Sequence, residues 1–153
     1  MTRSIRVLGI AVLALTICAL AGPGAAGAKL KKKKVHGLVT MAYEKNATGG
    51  DDRFFGVVSS PNRRCANGAR VDLGFRPAFE GGGGTETPRT IVASTHADAQ
   101  GNWQIFYKVT PNPAYDFQSY SASSPRRTLK TKKRGVVLVC KFATSEVLTL
   151  FPG

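Results

Sequence analysis

The sequence predicts an all-β protein, a single antiparallel β-sandwich of about seven or eight strands. Three observations carry that prediction. Short runs rich in Val, Phe, Tyr and Thr recur along the chain, separated by clusters of Gly, Pro, Asn and Ser. No helical period of apolar residues survives alongside them. Two cysteines, Cys65 and Cys140, follow what reads as an export signal, the setting in which a small two-sheet core is stapled by a disulfide.

The export reading comes from the first residues. Arg3 and Arg6 make a basic start, Val7 to Leu20 is an almost unbroken apolar run, and Pro23 ends it. Ala26-Gly27-Ala28 supplies the small residues that a signal peptidase needs, so residues 1–28 read as a signal peptide and Lys29 as the first residue after cleavage. The apolar run is shorter than the roughly 20 residues that span a bilayer, which argues against a membrane anchor and for no transmembrane segment after cleavage. Cys18 is a poor lipoprotein cysteine because the bulky Ile17 precedes it. The expected location is secreted, periplasmic or cell envelope. For the remaining Cys65 and Cys140, one disulfide is the favoured pairing; two free thiols or a metal pair are the alternatives, and zinc would need more ligands than the two histidines readily supply.

Each element then follows in order. Residues 29–36, with Lys29, Lys31, Lys32, Lys33 and Lys34, read as a basic tail, and residues 37–153 as the sandwich domain. Gly37 to Tyr43 is the first expected strand, Asn46 to Asp52 a turn, and Phe54 to Ser59 the second strand. Asn46-Ala47-Thr48 within that turn has the form of a glycosylation sequon. Pro61 to Gly68 is a loop carrying Cys65. Arg70 to Arg76 alternates, with Val71, Leu73 and Phe75 on one face and charges on the other, as in a half-buried strand. Gly81-Gly82-Gly83-Gly84 sits in a long loop; no lysine, serine or helix pattern follows that would make it a phosphate cradle. Arg89 to Thr95, Asn102 to Lys108, Tyr115 to Ala122, Arg134 to Lys141 and Glu146 to Phe151 complete the strands, and Ser121 to Lys133 reads as a loose Ser/Pro/basic connection.

The stretch THADAQGNW, residues 95–103, decides most of the case for catalysis, because His36 and His96 are the chain's two histidines. Asp98 can accept hydrogen bonds from backbone groups ahead of it and Gly101 can take a positive φ, so the stretch reads as a hairpin turn with Trp103, Ile105 and Tyr107 facing inward beyond it. Calcium would need several oxygen ligands at alternate positions, and Asp98 is the one carboxylate here. No nucleophile elbow surrounds Ser94, Ser119 or Ser145, and no metalloprotease helix or paired acids stand on a recognisable scaffold. The expectation is a non-enzymatic protein without cofactor or metal.

Residues 95–103 fit the turn pattern T-x-x-D-x-x-G-x-W/Y, which resembles that of carboxypeptidase regulatory-like, or prealbumin-like (transthyretin-like), β-sandwich domains. Phe55 to Ser60, then Cys65 and Gly68 to Leu73, look like the first strand pair of secreted bacterial members. Cys140 with Ala143, Ser145 and Val147 resembles their closing strand, where the second cysteine stands. The resemblance covers about Phe54 to Leu150, and the glycine loop and the basic stretch at Arg126 to Arg134 depart from it. It implies a rigid accessory, adhesive or ligand-holding module without catalytic residues.

The net charge is +13, and the signal contributes two of the arginines. Such a surplus favours acidic partners: an anionic cell-envelope polymer, lipid head groups or nucleic acid. Candidate contacts are Lys31, Lys32, Lys33, Lys34, Arg126, Arg127, Lys130, Lys132, Lys133 and Arg134. Aromatics do not interleave with these charges, so no specific nucleic acid is indicated. Both basic runs read as solvated segments off any strand face, a diffuse handle removable without loss of stability. Carbohydrate stacking would fall to Tyr107, Tyr115, Phe117 or Tyr120, with Tyr120 the best candidate if Phe117 faces the core. The leading expectation is an exported module with a structural role or a surface-protein partner; weak polyanion or carbohydrate binding is the alternative, with oligomeric state open.

Overall fold

The computed structural model describes residues 30–78, 88–112, 117–133 and 135–151. The signal peptide with Lys29, most of the glycine loop, Tyr115 and Arg134 lie outside the described residues. Ten strands and one short helix are present among them: β1 (Lys31–Val39), β2 (Ala42–Glu44), β3 (Asp52–Ser59), α1 (Arg63–Ala66), β4 (Arg70–Ala78), β5 (Thr90–His96), β6 (Asn102–Tyr107), β7 (Phe117–Ser123), β8 (Arg127–Lys130), β9 (Val136–Phe142) and β10 (Leu148–Leu150). They form two sheets, one of six strands running β2-β3-β1-β9-β8 with β6 on β3, and one of four running β10-β7-β4-β5. The all-β sandwich is as the strand pattern predicts, but it is not antiparallel throughout, because β1 and β9 pair in parallel.

Two strands exceed the expected number, and each has a local cause. The first expected strand is divided at Thr40, whose hydroxyl accepts from Val57 N (3.0 Å) where a ladder carbonyl would otherwise stand. Gly56 makes this possible, because a Cβ there would lie 2.1 Å from the Thr40 carbonyl oxygen. The second addition is β8, which forms inside the connection expected to be loose and pairs antiparallel with β9 (Leu129 with Leu138).

The largest correction concerns the basic tail. Lys31 to His36 are not a tail; they are the first part of β1, which pairs in parallel with β9 from Lys31 with Val136 to Gly37 with Phe142. Lys31 N donates to Gly135 O at 2.6 Å and anchors the strand's start. Beyond Gly37, β1 turns to β3 and pairs Leu38 with Ser59 and Val39 with Val58. Lysines extend as a strand because their backbone pairs with β9 while the side chains stay in water.

The core has two parts. The main one packs Phe54, Val58, Val71, Leu73, Trp103, Ile105 and Tyr120 between the sheets. A smaller one holds Val35, Cys65, Leu138 and Cys140 under β1, β9 and β8. Cys65, on α1, is bonded to Cys140, on β9, with 5.6 Å between Cα atoms. Asn62 caps α1 by accepting from Arg64 N at 3.1 Å.

Residues 95–103 keep their turn chemistry but not their expected connection. Asp98 accepts from Gln100 N and Asn102 N, each at 2.8 Å. Gly101 has φ +94 and stands where a Cβ would meet Val58 O at 2.3 Å. Yet β5 pairs with β4 while β6 pairs with β3, so the turn carries the chain from one sheet to the other. It is a crossover, not a hairpin.

Two stability measurements follow. Removing residues up to Lys34 should lower the melting temperature by roughly 5 °C or more, since the ladder bonds of Lys31 to Lys34 with β9 go with it; an unchanged melting curve would return the segment to a tail. Reducing the disulfide, which closes 75 residues of sequence, should cost up to about 4 kcal/mol on chain-entropy grounds. Coincident melting curves with and without reductant would contradict that.

Candidate functional site: a basic face on three adjoining strands

On β1 the burial alternates from Val35 onward: Val35, Gly37 and Val39 are buried, while His36 and Leu38 are exposed. Lys32, Lys34 and His36 therefore share the face turned away from the core. Parallel pairing with β9 sets Lys32 beside Val137, Lys34 beside Val139 and His36 beside Lys141. Antiparallel pairing of β8 sets Lys130 on the other side of Val137 and Thr128 beyond Val139. Lys32, Lys34, Lys130 and Lys141 thus lie on one sheet face together with His36. Strand geometry spaces them by about 7 Å along β1 and about 5 Å per strand across it. None of the three strands contains an acidic residue.

The other expected contacts fall elsewhere. Lys31 and Lys33 have the opposite parity, on the side of Val35, and remain exposed. Lys132 and Lys133 are exposed in the turn between β8 and β9, and Arg126 is exposed just before β8. Arg127 is a correction. Its guanidinium is turned onto α1, where it donates to Arg64 O, to Asn67 O (2.7 Å) and to Gly68 O (2.8 Å). The last carbonyls of a helix lack intrahelical partners, and a cation there also complements the helix dipole. Desolvation lowers the Arg127 pKa from its usual value. Arg64 returns the contact by donating to Lys130 O at 2.8 Å. Lys141 and His36 were missed among the basic contacts, and only the register with β1 brings them to this face.

Tyr120 is a second correction. It is 2% exposed, with its ring centroid 5.1 Å from Phe54 and 5.4 Å from Phe75. Its hydroxyl donates to Gln118 Oε1 at 3.3 Å. Burial first, then the nearby Tyr107, Tyr43 and Asp52, raises its pKa above the ordinary phenol value. A side chain so enclosed offers no stacking face to a sugar. Phe117 is half-buried and packs near Phe151, with ring centroids 6.3 Å apart.

His96 borders an open groove of about 810 Å³ whose floor includes Phe55, Val57 and Trp103. Arg53 lies 4.5 Å over the Phe55 ring and pairs with Glu44. The Asp98 carboxyl is held below the usual carboxylate range, chiefly by the Asn102 side-chain amide. Among the described residues no group of three or more His, Cys, Asp or Glu stands close enough to hold a metal ion. No helix of the described residues is long and apolar enough to cross a membrane.

No protein family, curated protein or solved structure matches this chain.

The two neighbouring arginines should separate in a melting experiment. Arg127→Met should cost about 1–2 kcal/mol by leaving three carbonyls without their donor, whereas Arg126→Met should stay within about 0.5 kcal/mol of the parent. Equal melting temperatures for the two variants would contradict the structural role of Arg127.

Proposed function

We propose that this protein is an exported, non-enzymatic β-sandwich module that holds an anionic polymer against the outer face of β1, β9 and β8. One observation carries the reading: Lys32, Lys34, Lys130 and Lys141 stand on one face with no carboxylate in the strands that bear them. Like charges held together by a sheet, rather than by flexible chain, are already positioned when a polyanion arrives, and little side-chain order is lost beyond the lysine tips. The attraction is electrostatic and falls as salt rises. Anionic cell-envelope polymer is the partner class that fits an exported location. The disulfide is at home in an oxidising compartment and supports that location. The kinship proposed with it, to prealbumin-like, carboxypeptidase regulatory-like domains, rests on the Asp98 and Gly101 turn and on the two cysteine positions.

Heparin chromatography tests the face itself. The double variant Lys32→Gln/Lys34→Gln should elute at markedly lower salt than Lys45→Gln/Lys108→Gln, which removes equal charge from exposed lysines elsewhere. Both should melt near the parent temperature. Identical elution of the two would mean that net charge, not this face, retains the protein.

A further inference from the structure

The opposite side of the sandwich carries a second basic feature of different character. Val71, Leu73 and Phe75 of β4 point into the core, so Arg70, Asp72, Gly74 and Arg76 point outward. Pairing with β7 sets Ser123 beside Asp72, Ser121 beside Gly74 and Ser119 beside Arg76. Arg89, just before β5, lays its guanidinium over Gly74, where a Cβ would lie 1.8 Å from Arg89 Nε. It is fixed there by donation to Ser123 Oγ (2.8 Å) and to the carbonyl oxygens of Asp72 and Ser121 (2.9 Å each). Its Nε–H is buried and has no partner among the described residues.

Arg76 and Arg89 both line a cavity of about 300 Å³, with Ser119, Ser121 and Thr144 adding hydroxyls. Among the described residues no carboxylate lines it. The acid nearest in register, Asp72, has its Oδ1 occupied by Arg70 Nε (2.7 Å) and Ser94 Oγ (2.6 Å). Burial lowers the Arg89 pKa, Asp72 opposes this, and the charge of Arg76 lowers it further. Among the described residues, two arginines thus line one space with hydroxyl groups and without a counter-charge.

We propose that this cavity binds a tetrahedral oxyanion, phosphate or sulfate, with Arg76 and Arg89 as its charged donors and Ser119, Ser121 and Thr144 as its hydroxyl donors. Planar guanidinium groups match the oxygens of such an ion, and an anion between them relieves the repulsion of the pair. About 300 Å³ is the lower end of small-molecule sites. It exceeds the volume of the bare ion, which leaves space for the organic part of a monoester. The site is separate from the lysine face and does not depend on the function proposed for that face.

Calorimetric titration with inorganic phosphate, sulfate and glycerol 2-phosphate, at ionic strength held constant with chloride, tests the site. Saturable binding at one site per chain is expected. Arg76→Ala should weaken it at least tenfold; Arg76 is exposed, so the variant should melt near the parent temperature. Lys32→Gln/Lys34→Gln should titrate like the parent, which separates this site from the lysine face. Tighter binding of the ester assigns the space beside the ion to its organic part, and equal or weaker binding assigns the free ion. Absence of saturation, unchanged affinity in Arg76→Ala, or loss of binding in the lysine variant would overturn the proposal.

Discussion

The six-stranded sheet exists because one strand changes partner along its length. β1 pairs in parallel with β9 through Gly37 and then antiparallel with β3 through Val39. Without it, β2, β3 and β6 would form one small sheet and β8 and β9 a separate ribbon. A two-stranded ribbon is marginal alone in water. The disulfide reinforces the same joint from beneath, since Cys140 lies in register with Val35 and Cys65 belongs to the helix that follows β3. Arg127 and Arg64 add hydrogen bonds between that helix and β8. Strand, disulfide and arginines all hold the β8–β9 ribbon to the rest of the molecule.

The same joint builds the lysine face. Four lysines on one surface would repel if each were free to choose its place. Their positions are fixed instead by backbone pairing, which is indifferent to side-chain charge. The favourable ladder bonds and the Val35 and Leu138 packing beneath outweigh a repulsion that water screens. The arginine pair around Gly74 is another case of the principle, with a guanidinium held in place by two backbone carbonyls and a serine hydroxyl.

What the sequence made legible was local. Alternation in Arg70 to Arg76 and in Asn102 to Tyr107 marks strands because burial of every second side chain needs nothing but the pleat. The turn at Asp98 and Gly101 is likewise written in neighbouring residues. The lysine run was opaque for the opposite reason: lysine has low strand preference, and its partner β9 lies about a hundred residues away in sequence. Arg127 could not be told from Arg126 without the carbonyls of α1, and Tyr120 could not be placed because the core side of β7 is set by its pairing with β4. The crossover at residues 97–101 resembles a hairpin in sequence because a tight turn looks the same whether its strands pair or part. Sites that depend on register between distant strands stay hidden until the register is known.

Parallel pairing of the first strand with the ninth also fixes an order of events during synthesis. A chain emerging amino end first presents β1 long before β9 exists, and non-local pairing of this kind forms slowly. For that interval the segment is an open strand, the kind of edge that recruits other chains into aggregates. Lys31 to Lys34 place a positive charge on every residue of its leading half. Copies of the nascent chain repel one another there until Val136 to Phe142 arrive to close the edge. The cations that crowd the finished surface thus also guard the unfinished one.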